Sequence, residues 1–334
     1  MVAMRWDVTR AGTLTWNRTG RSLLPSSPRR RLALALAPLT AAFLALGLLG
    51  LWRYLDGYWL YRGYPPPQDP AFVTERGQEG TYQVPSAALG GRTQRVIVYL
   101  PPGYATSPDR RYPVFYLLHG TPGRPDAFML TLRVGVIVDV LHAQQRARPP
   151  ILVMPTGSSG TFADEEWANG VRKHAGWETF VADDLVQWVD STFRTIPKGS
   201  ARAIGGLSEG GYGALNIAFH HPGKFRVVQS WSGYQLADNI PAIFGRDPKL
   251  LAHNSPALTL PRVAAALRTT HTFIWFYSSV KDPLLKQNQL FARELARLRI
   301  AHEFFVVPGG HTWHAWRDNA EAAILAAAKR LAHA

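Results

Sequence analysis

Ser208, Asp282 and His311 are the residues of this chain whose types and order could carry out covalent chemistry. Ser208 lies in Gly206-Leu207-Ser208-Glu209-Gly210, where a short apolar run from Ala201 to Gly206 meets a small-residue stretch, Gly210 to His220, that reads as a helix. A serine on so sharp a strand-to-helix turn projects its hydroxyl above the sheet edge, and flanking glycines let the backbone bend without Cβ clashes. The chemistry this predicts is attack of a hydroxyl on an acyl carbon, as in hydrolysis or acyl transfer. A serine hydroxyl is a weak nucleophile, so it needs a histidine base, and the histidine needs a carboxylate to hold its tautomer and stabilise the imidazolium. Asp282 follows the apolar run Thr272 to Tyr277 through Ser278-Ser279-Val280-Lys281, and His311 follows the run His302 to Val307 through Pro308-Gly309-Gly310. Serine, then acid, then histidine, the last two on loops after later strands, is the order expected of a sheet with an elbow serine. Asp282 also precedes Pro283 and fits a helix N-cap, so both roles stay open for it here.

An acyl intermediate needs donors for its developing oxyanion, worth about 3 kcal/mol each in the transition state. The amide of Glu209, next to Ser208 at the start of the elbow helix, is one candidate; the amide of Thr121, on the loop His119-Gly120-Thr121 after the run Tyr112 to Leu118, is the other. Trp167, in Glu165-Glu166-Trp167-Ala168-Asn169-Gly170, follows a glycine/serine-rich loop and is a candidate to line the site against substrate, with plain core or rim packing as its other reading. His314 falls where the last helix begins and would point away from the loop. The pair His311 and His314 lacks the glutamate of a zinc-binding helix, so no metal is expected. His119, His174, His220 and His221 receive no catalytic role. Gly210-Gly211-Tyr212-Gly213 has neither a phosphate-loop lysine nor dinucleotide glycine spacing, and reads as close packing of helix on sheet. This chemistry needs no cofactor.

The elements that must position these residues are legible in the hydrophobic pattern. Thr81 to Val84 and Thr93 to Leu100 read as a hairpin around Gly90-Gly91. Tyr112 to Leu118, Ile151 to Met154, Ala201 to Gly206, Phe225 to Trp231, Thr272 to Tyr277 and His302 to Val307 are near-continuous apolar runs, as in strands buried on both faces. Between them Ala127 to Ala143, Trp177 to Phe193, Gly210 to His220, Pro283 to Leu298 and Trp313 to Ala332 read as helices. The alternation predicts an α/β domain with a mostly parallel central sheet flanked by helices. Residues 233 to 270, with Pro241, Pro248, Pro256 and Pro261, break the rhythm and read as a cap or insertion beside the site.

The chain has 334 residues, no cysteine and a formal charge of +14, which excludes disulfides and thiolate chemistry. Residues 1 to 31 hold seven arginines against one aspartate, and no basic stripe interleaved with aromatics follows, so nucleic acid is not an expected partner. Leu32 to Trp52 is free of charge and long enough to span a bilayer. The arginines before it predict a cytoplasmic N-terminus. The expected organisation is a basic cytoplasmic segment (1 to 31), a transmembrane anchor (32 to 52), a Pro-rich stalk (53 to 70) and an extracytoplasmic catalytic domain (71 to 334). A cleaved signal peptide is the rival for the apolar segment.

Tyr116-Leu117-Leu118-His119-Gly120, Gly206-Leu207-Ser208-Glu209-Gly210-Gly211-Tyr212-Gly213-Ala214-Leu215 and Pro308-Gly309-Gly310-His311-Thr312-Trp313 together resemble the esterase D-like family of the α/β-hydrolase superfamily, over about residues 80 to 330. Its members include feruloyl esterases and the mycobacterial mycolyltransferase antigens. The resemblance implies the α/β-hydrolase fold, Ser208, Asp282 and His311 as a triad, and oxyanion donors on Thr121 and Glu209. Relatives often carry methionine where this chain has Glu209, whose carboxylate would repel developing negative charge unless it points to solvent. The expected activity is hydrolysis of a small-molecule or glycolipid ester. The alternatives are acyl transfer to a sugar or lipid hydroxyl, and a noncatalytic envelope-binding module, which intact Ser208, Asp282 and His311 disfavour.

Overall fold

The computed structural model describes residues 28–158, 165–237 and 241–332, so most of the basic N-terminal segment and part of the loop before Trp167 lie outside the described residues. Two units are present: a first that ends at Gly57, and a second that runs from Tyr58 to Ala334. The long apolar stretch forms one helix, α1 (Pro28–Tyr61), within which Ala35–Tyr61 is long and apolar enough to cross a membrane. The sequence reading ends the helix at Trp52 and starts a stiff stalk at 53. Residues 53 to 61 are helical instead, because no proline occurs between Pro38 and Pro65 to stop the helix.

In the second unit, among the described residues, eight strands form one sheet: β1 (Gln78–Pro85), β2 (Thr93–Leu100), β3 (Val114–Leu118), β4 (Ile151–Pro155), β5 (Arg202–Leu207), β6 (Val227–Trp231), β7 (Phe273–Ser279) and β8 (His302–Val307). Their order is β1-β2-β4-β3-β5-β6-β7-β8. The β1·β2 hairpin pairs antiparallel, β2 pairs antiparallel with β4, and every other pairing is parallel. All the predicted strands are present, but β8, expected to be buried on both faces, is an edge strand with Phe305 and Val306 exposed, because among the described residues no strand pairs beyond it.

Helices cover both faces, as the doubly buried strands require. On one face Tyr116, Leu118, Ile204, Val228 and Phe276 pack with Leu215 of α6 (Glu209–His220), Leu260 of α9 (Pro256–Thr269) and Phe291 of α10 (Leu285–Arg297). The same layer includes α4 (Trp177–Thr179), which continues through a π-helical turn, Phe180–Leu185, into α5 (Val186–Thr192). On the other face Phe115, Leu117, Ala203, Trp231 and Tyr277 pack with α2 (Asp126–Leu130), α3 (Val134–Ala143) and α11 (Trp313–Ala328).

Two expectations are corrected. The single helix expected from Ala127 to Ala143 is broken at Arg133, whose φ of +51° lies outside any right-handed helix; the break re-aims the chain so that Phe128 and Ile137 both reach the core. The described part of residues 233 to 270 is largely helical, with α7 (Pro241–Phe244) and α8 (Pro248–His253) leading into α9, which packs in the flanking layer rather than as a cap. Pro248 and Pro256 each occupy the first turn of a helix, where the missing N–H costs nothing, so they mark starts rather than breaks.

Candidate active site

Ser208 occupies the one-residue turn between β5 and α6 with φ +54° and ψ −120°, a strained conformation for a residue with a Cβ. The turn is held from both sides: the Ser208 N–H donates to Trp231 O at 3.0 Å, and the N–H groups of Gly211 and Tyr212 donate to Ser208 O at 2.9 and 3.1 Å. The flanking glycines are required by close approach. A Cβ on Gly206 would lie 2.2 Å from Leu118 O, and one on Gly210 would lie 1.9 Å from the same atom. The end of β3 therefore rests directly on the elbow.

The loops after β7 and β8 bring the other two residues to it. His311 Nε2 is 2.9 Å from Ser208 Oγ, and His311 Nδ1 is 3.1 Å from Asp282 Oδ2. A backbone bond from Lys281 N–H to Gly309 O at 2.9 Å ties the two loops together, and the ring of Trp316 supports the imidazole edge-on at 5.0 Å. Asp282 carries out both roles left open by its sequence: Oδ1 accepts the Leu284 N–H at 2.8 Å ahead of α10, while Oδ2 faces the histidine. Its side chain is fully buried. Burial pushes the carboxyl upward, but the hydrogen bonds from His311 and Leu284 outweigh it and hold the group below the usual carboxylate range. His314 turns away from this cluster and packs against Tyr64 at 5.3 Å.

Glu209 does not point to solvent. It is 3% exposed and accepts a hydrogen bond from the Thr121 hydroxyl, so the carboxylate is spent on bracing the neighbouring loop. Gly120 of that loop lies against the nucleophile, since a Cβ there would be 3.0 Å from Ser208 Cβ. Among the described residues the Thr121 N–H has no backbone acceptor, and the Glu209 N–H is in the first turn of α6.

Trp167 is corrected: it is fully buried and does not line a substrate surface. Its indole N–H donates to His119 O at 2.9 Å, and its ring meets the His119 ring edge-on at 5.0 Å. It reaches this depth because Gly213 leaves room, a Cβ at that position falling 2.5 Å from Trp167 Cβ. His119, to which the sequence reading gives no role, joins the same support. Its Nε2 accepts the Gly157 N–H at 3.0 Å, which leaves the proton on Nδ1 to donate to Gly120 O at 3.1 Å. Burial pushes its pKa down to about 4, so the ring is neutral and single-tautomer at neutral pH. The signal in the sequence was a histidine placed directly between a wholly apolar strand and a glycine turn.

Among the described residues no group of three or more histidine, cysteine, aspartate or glutamate side chains is arranged to hold a metal ion. The arrangement can deprotonate a serine hydroxyl, hold the resulting imidazolium and offer backbone donors to an oxyanion.

A sequence model of the family described as "Putative esterase" matches residues 86–326. Esterase Rv1288 of Mycobacterium tuberculosis is 30% identical over 270 residues, covering 70% of this chain and 55% of that protein. The diacylglycerol acyltransferase/mycolyltransferase Ag85A of Mycobacterium leprae is 32% identical over 165 residues, covering 45% of this chain and 42% of its own length. The chain thus spans about half the length of the curated relatives it matches. A solved ferulic acid esterase superposes with a TM-score of 0.68 at 23% identity, over 77% of this chain and 100% of that one, which shows the α/β-hydrolase fold.

Proposed function

The chain belongs to the esterase family whose model it matches, and from that premise we propose that it is a membrane-anchored serine esterase that cleaves carboxylic esters through an acyl-Ser208 intermediate. The observation that carries this reading is the hydrogen-bonded line from Ser208 Oγ through His311 to Asp282, at 2.9 and 3.1 Å. His311 Nε2 takes the hydroxyl proton as Ser208 Oγ attacks the ester carbon, and Asp282 stabilises the imidazolium on the Nδ1 side. The oxyanion is met by the N–H groups of Thr121 and Glu209. Collapse breaks the bond to the leaving alkoxide, which receives the proton from His311. A water molecule then repeats the cycle on the acyl carbon, with His311 again as base, and returns Ser208 to its free form.

The anchor reading rests on Ala35–Tyr61 and on the arginines that precede it, which favour a cytoplasmic N-terminus and an extracytoplasmic catalytic unit. The likeness to a protein named as an acyltransferase supports a second reading, in which a sugar or lipid hydroxyl replaces water in the second half of the cycle.

The test is turnover of p-nitrophenyl esters of graded chain length by the detergent-solubilised chain, with Ser208→Ala alongside and with trehalose and other sugars present or absent. Hydrolysis lost in the variant supports the esterase. Acylated sugar formed in preference to free acid moves the chain to the transferases, and folded protein that neither turns over nor reacts with a fluorophosphonate overturns both.

A further inference from the structure

The last turn of the apolar helix and the residues just after it, all within the second unit, are clamped there beside the proposed base. The Thr131 hydroxyl donates to Leu60 O at 2.9 Å. The Arg62 guanidinium lies 4.0 Å from the centre of the Trp59 ring and 4.8 Å from that of Trp313, and the Arg317 guanidinium lies 4.2 Å from that of Tyr64. Trp313 meets Trp316 edge-on at 5.2 Å, and Trp316 meets His311 at 5.0 Å. Arg62 is therefore joined to the base through only two intervening rings.

Two further observations bear on what this face meets. Tyr58 and Trp59, at the start of the second unit, stand exposed at the end of the apolar helix, and such side chains settle at the membrane–water boundary. Arg124 lies within electrostatic reach of Arg62, and Arg133 within reach of Arg317. Against these four guanidinium groups stands Asp318, near Arg317 and Tyr64; the neighbouring Asp126 is already engaged by Arg95 at 2.7 and 2.8 Å. The face keeps an excess of positive charge where the chain leaves its apolar segment, which is what attracts anionic lipid.

Resting on the anchor and esterase readings above, we propose that this face lies on an anionic bilayer surface and that the site takes its ester from that surface, as an amphiphile whose acyl chains stay in the lipid. With this face on the lipid, the proposed base lies within a few side chains of the bilayer surface, so a substrate need not leave the lipid to reach Ser208.

The chain has no cysteine, so Arg133→Cys and Arg268→Cys each provide a single labelling point. The first lies on the proposed face. The second lies beside a cavity of about 410 Å³ lined by Arg226, Arg268, Arg299 and Arg330, near the start of β7 and so at the opposite edge of the sheet. Each full-length variant is labelled with bimane and reconstituted into phosphatidylcholine–phosphatidylglycerol vesicles with brominated acyl chains. Quenching at position 133 that exceeds quenching at 268 is expected; equal quenching, or none at 133, overturns the docking. In the same vesicles Arg124→Glu/Arg133→Glu is expected to lose about tenfold in turnover of a long-chain fluorogenic ester dissolved in the lipid, and to stay within about twofold on a water-soluble acetate ester. Matching losses on both substrates, or no loss on either, overturn the proposal. Soluble-ester turnover that survives Ser208→Ala would overturn the esterase reading, and the quenching comparison would still decide the docking by itself.

Discussion

At the scale of single residues, the proposed chemistry depends on one proton path and on the loop that faces it. Ser208→Ala is expected to lower kcat by roughly 10³ or more, and Asp282→Asn by about 10³ to 10⁴ because the amide favours the wrong histidine tautomer; steady-state kinetics with purified protein checks both. The depressed pKa of Asp282 means that its carboxylate stays ionised throughout the pH range in which His311 can act as a neutral base. Thr121→Val removes the hydroxyl that Glu209 accepts and is expected to lower kcat about tenfold with little change in KM, since the loop then holds its N–H less firmly. His119 offers a pH-dependent test of the same support. Its folded pKa of about 4 lies below the unfolded value, so between about pH 4 and 6.5 the unfolded chain binds more protons and stability rises with pH, by at most about 1.4 kcal/mol per unit. Urea unfolding of His119→Gln across that window should show a flatter slope than the parent, and an unchanged slope would remove His119 from this role.

At the scale of elements, the elbow works because β3, β5 and α6 approach more closely than side chains allow. Gly210→Ala forces a Cβ against the carbonyl of Leu118, which is held in the sheet, and should destabilise on the order of 3 kcal/mol as well as displace Ser208. Thermal unfolding together with fluorophosphonate labelling would register both effects. The far end of α6 carries a separate device: Glu178 in α4 accepts from His220 at 2.8 Å and from His221 at 3.0 Å. Although burial pushes Glu178 upward, the two histidines bring it down to about 2, while His220, lowered by burial but raised more by Glu178, ends above its ordinary value. The glutamate's contribution is present above its unfolded pKa and lost as pH falls through about 2; that of His220 is present below its unfolded pKa and lost as pH rises through the raised one. Glu178→Gln should therefore cost most between about pH 4.5 and 6.5, about 3 kcal/mol, and less at pH 9; denaturant titrations at the two pH values compare them.

At the scale of the whole molecule, the second unit begins at Tyr58, ahead of the Pro-rich segment. Removal of residues 1 to 57 is expected to leave a folded catalytic unit, whereas removal through residue 64 should lower its melting temperature, because Arg62 and Tyr64 then no longer cover Trp313, His314 and Arg317. Calorimetry of the two truncated chains tests the boundary, and equal melting temperatures would return it to the neighbourhood of residue 70.

Much of this protein is determined by local pattern. Doubly buried strands must be apolar throughout, so the hydrophobic runs declare them; a serine on a one-residue turn between strand and helix needs small neighbours, so Gly206 and Gly210 declare the elbow. The loops bearing Asp282 and His311 follow because each comes directly after an apolar run, that of the buried β7 and that of the edge strand β8. Other features depend on what the chain meets far away in sequence, which no local pattern records. That Trp167 is buried under His119 follows from space left by Gly213, and that Glu209 turns inward follows from the hydroxyl of Thr121. Residues 58 to 64 read as linker in the sequence because their partners, Thr131, Trp313, His314 and Arg317, lie at the other end of the chain or in a distant loop. Periodicity reports which side of an element is buried, and only the folded arrangement decides against what.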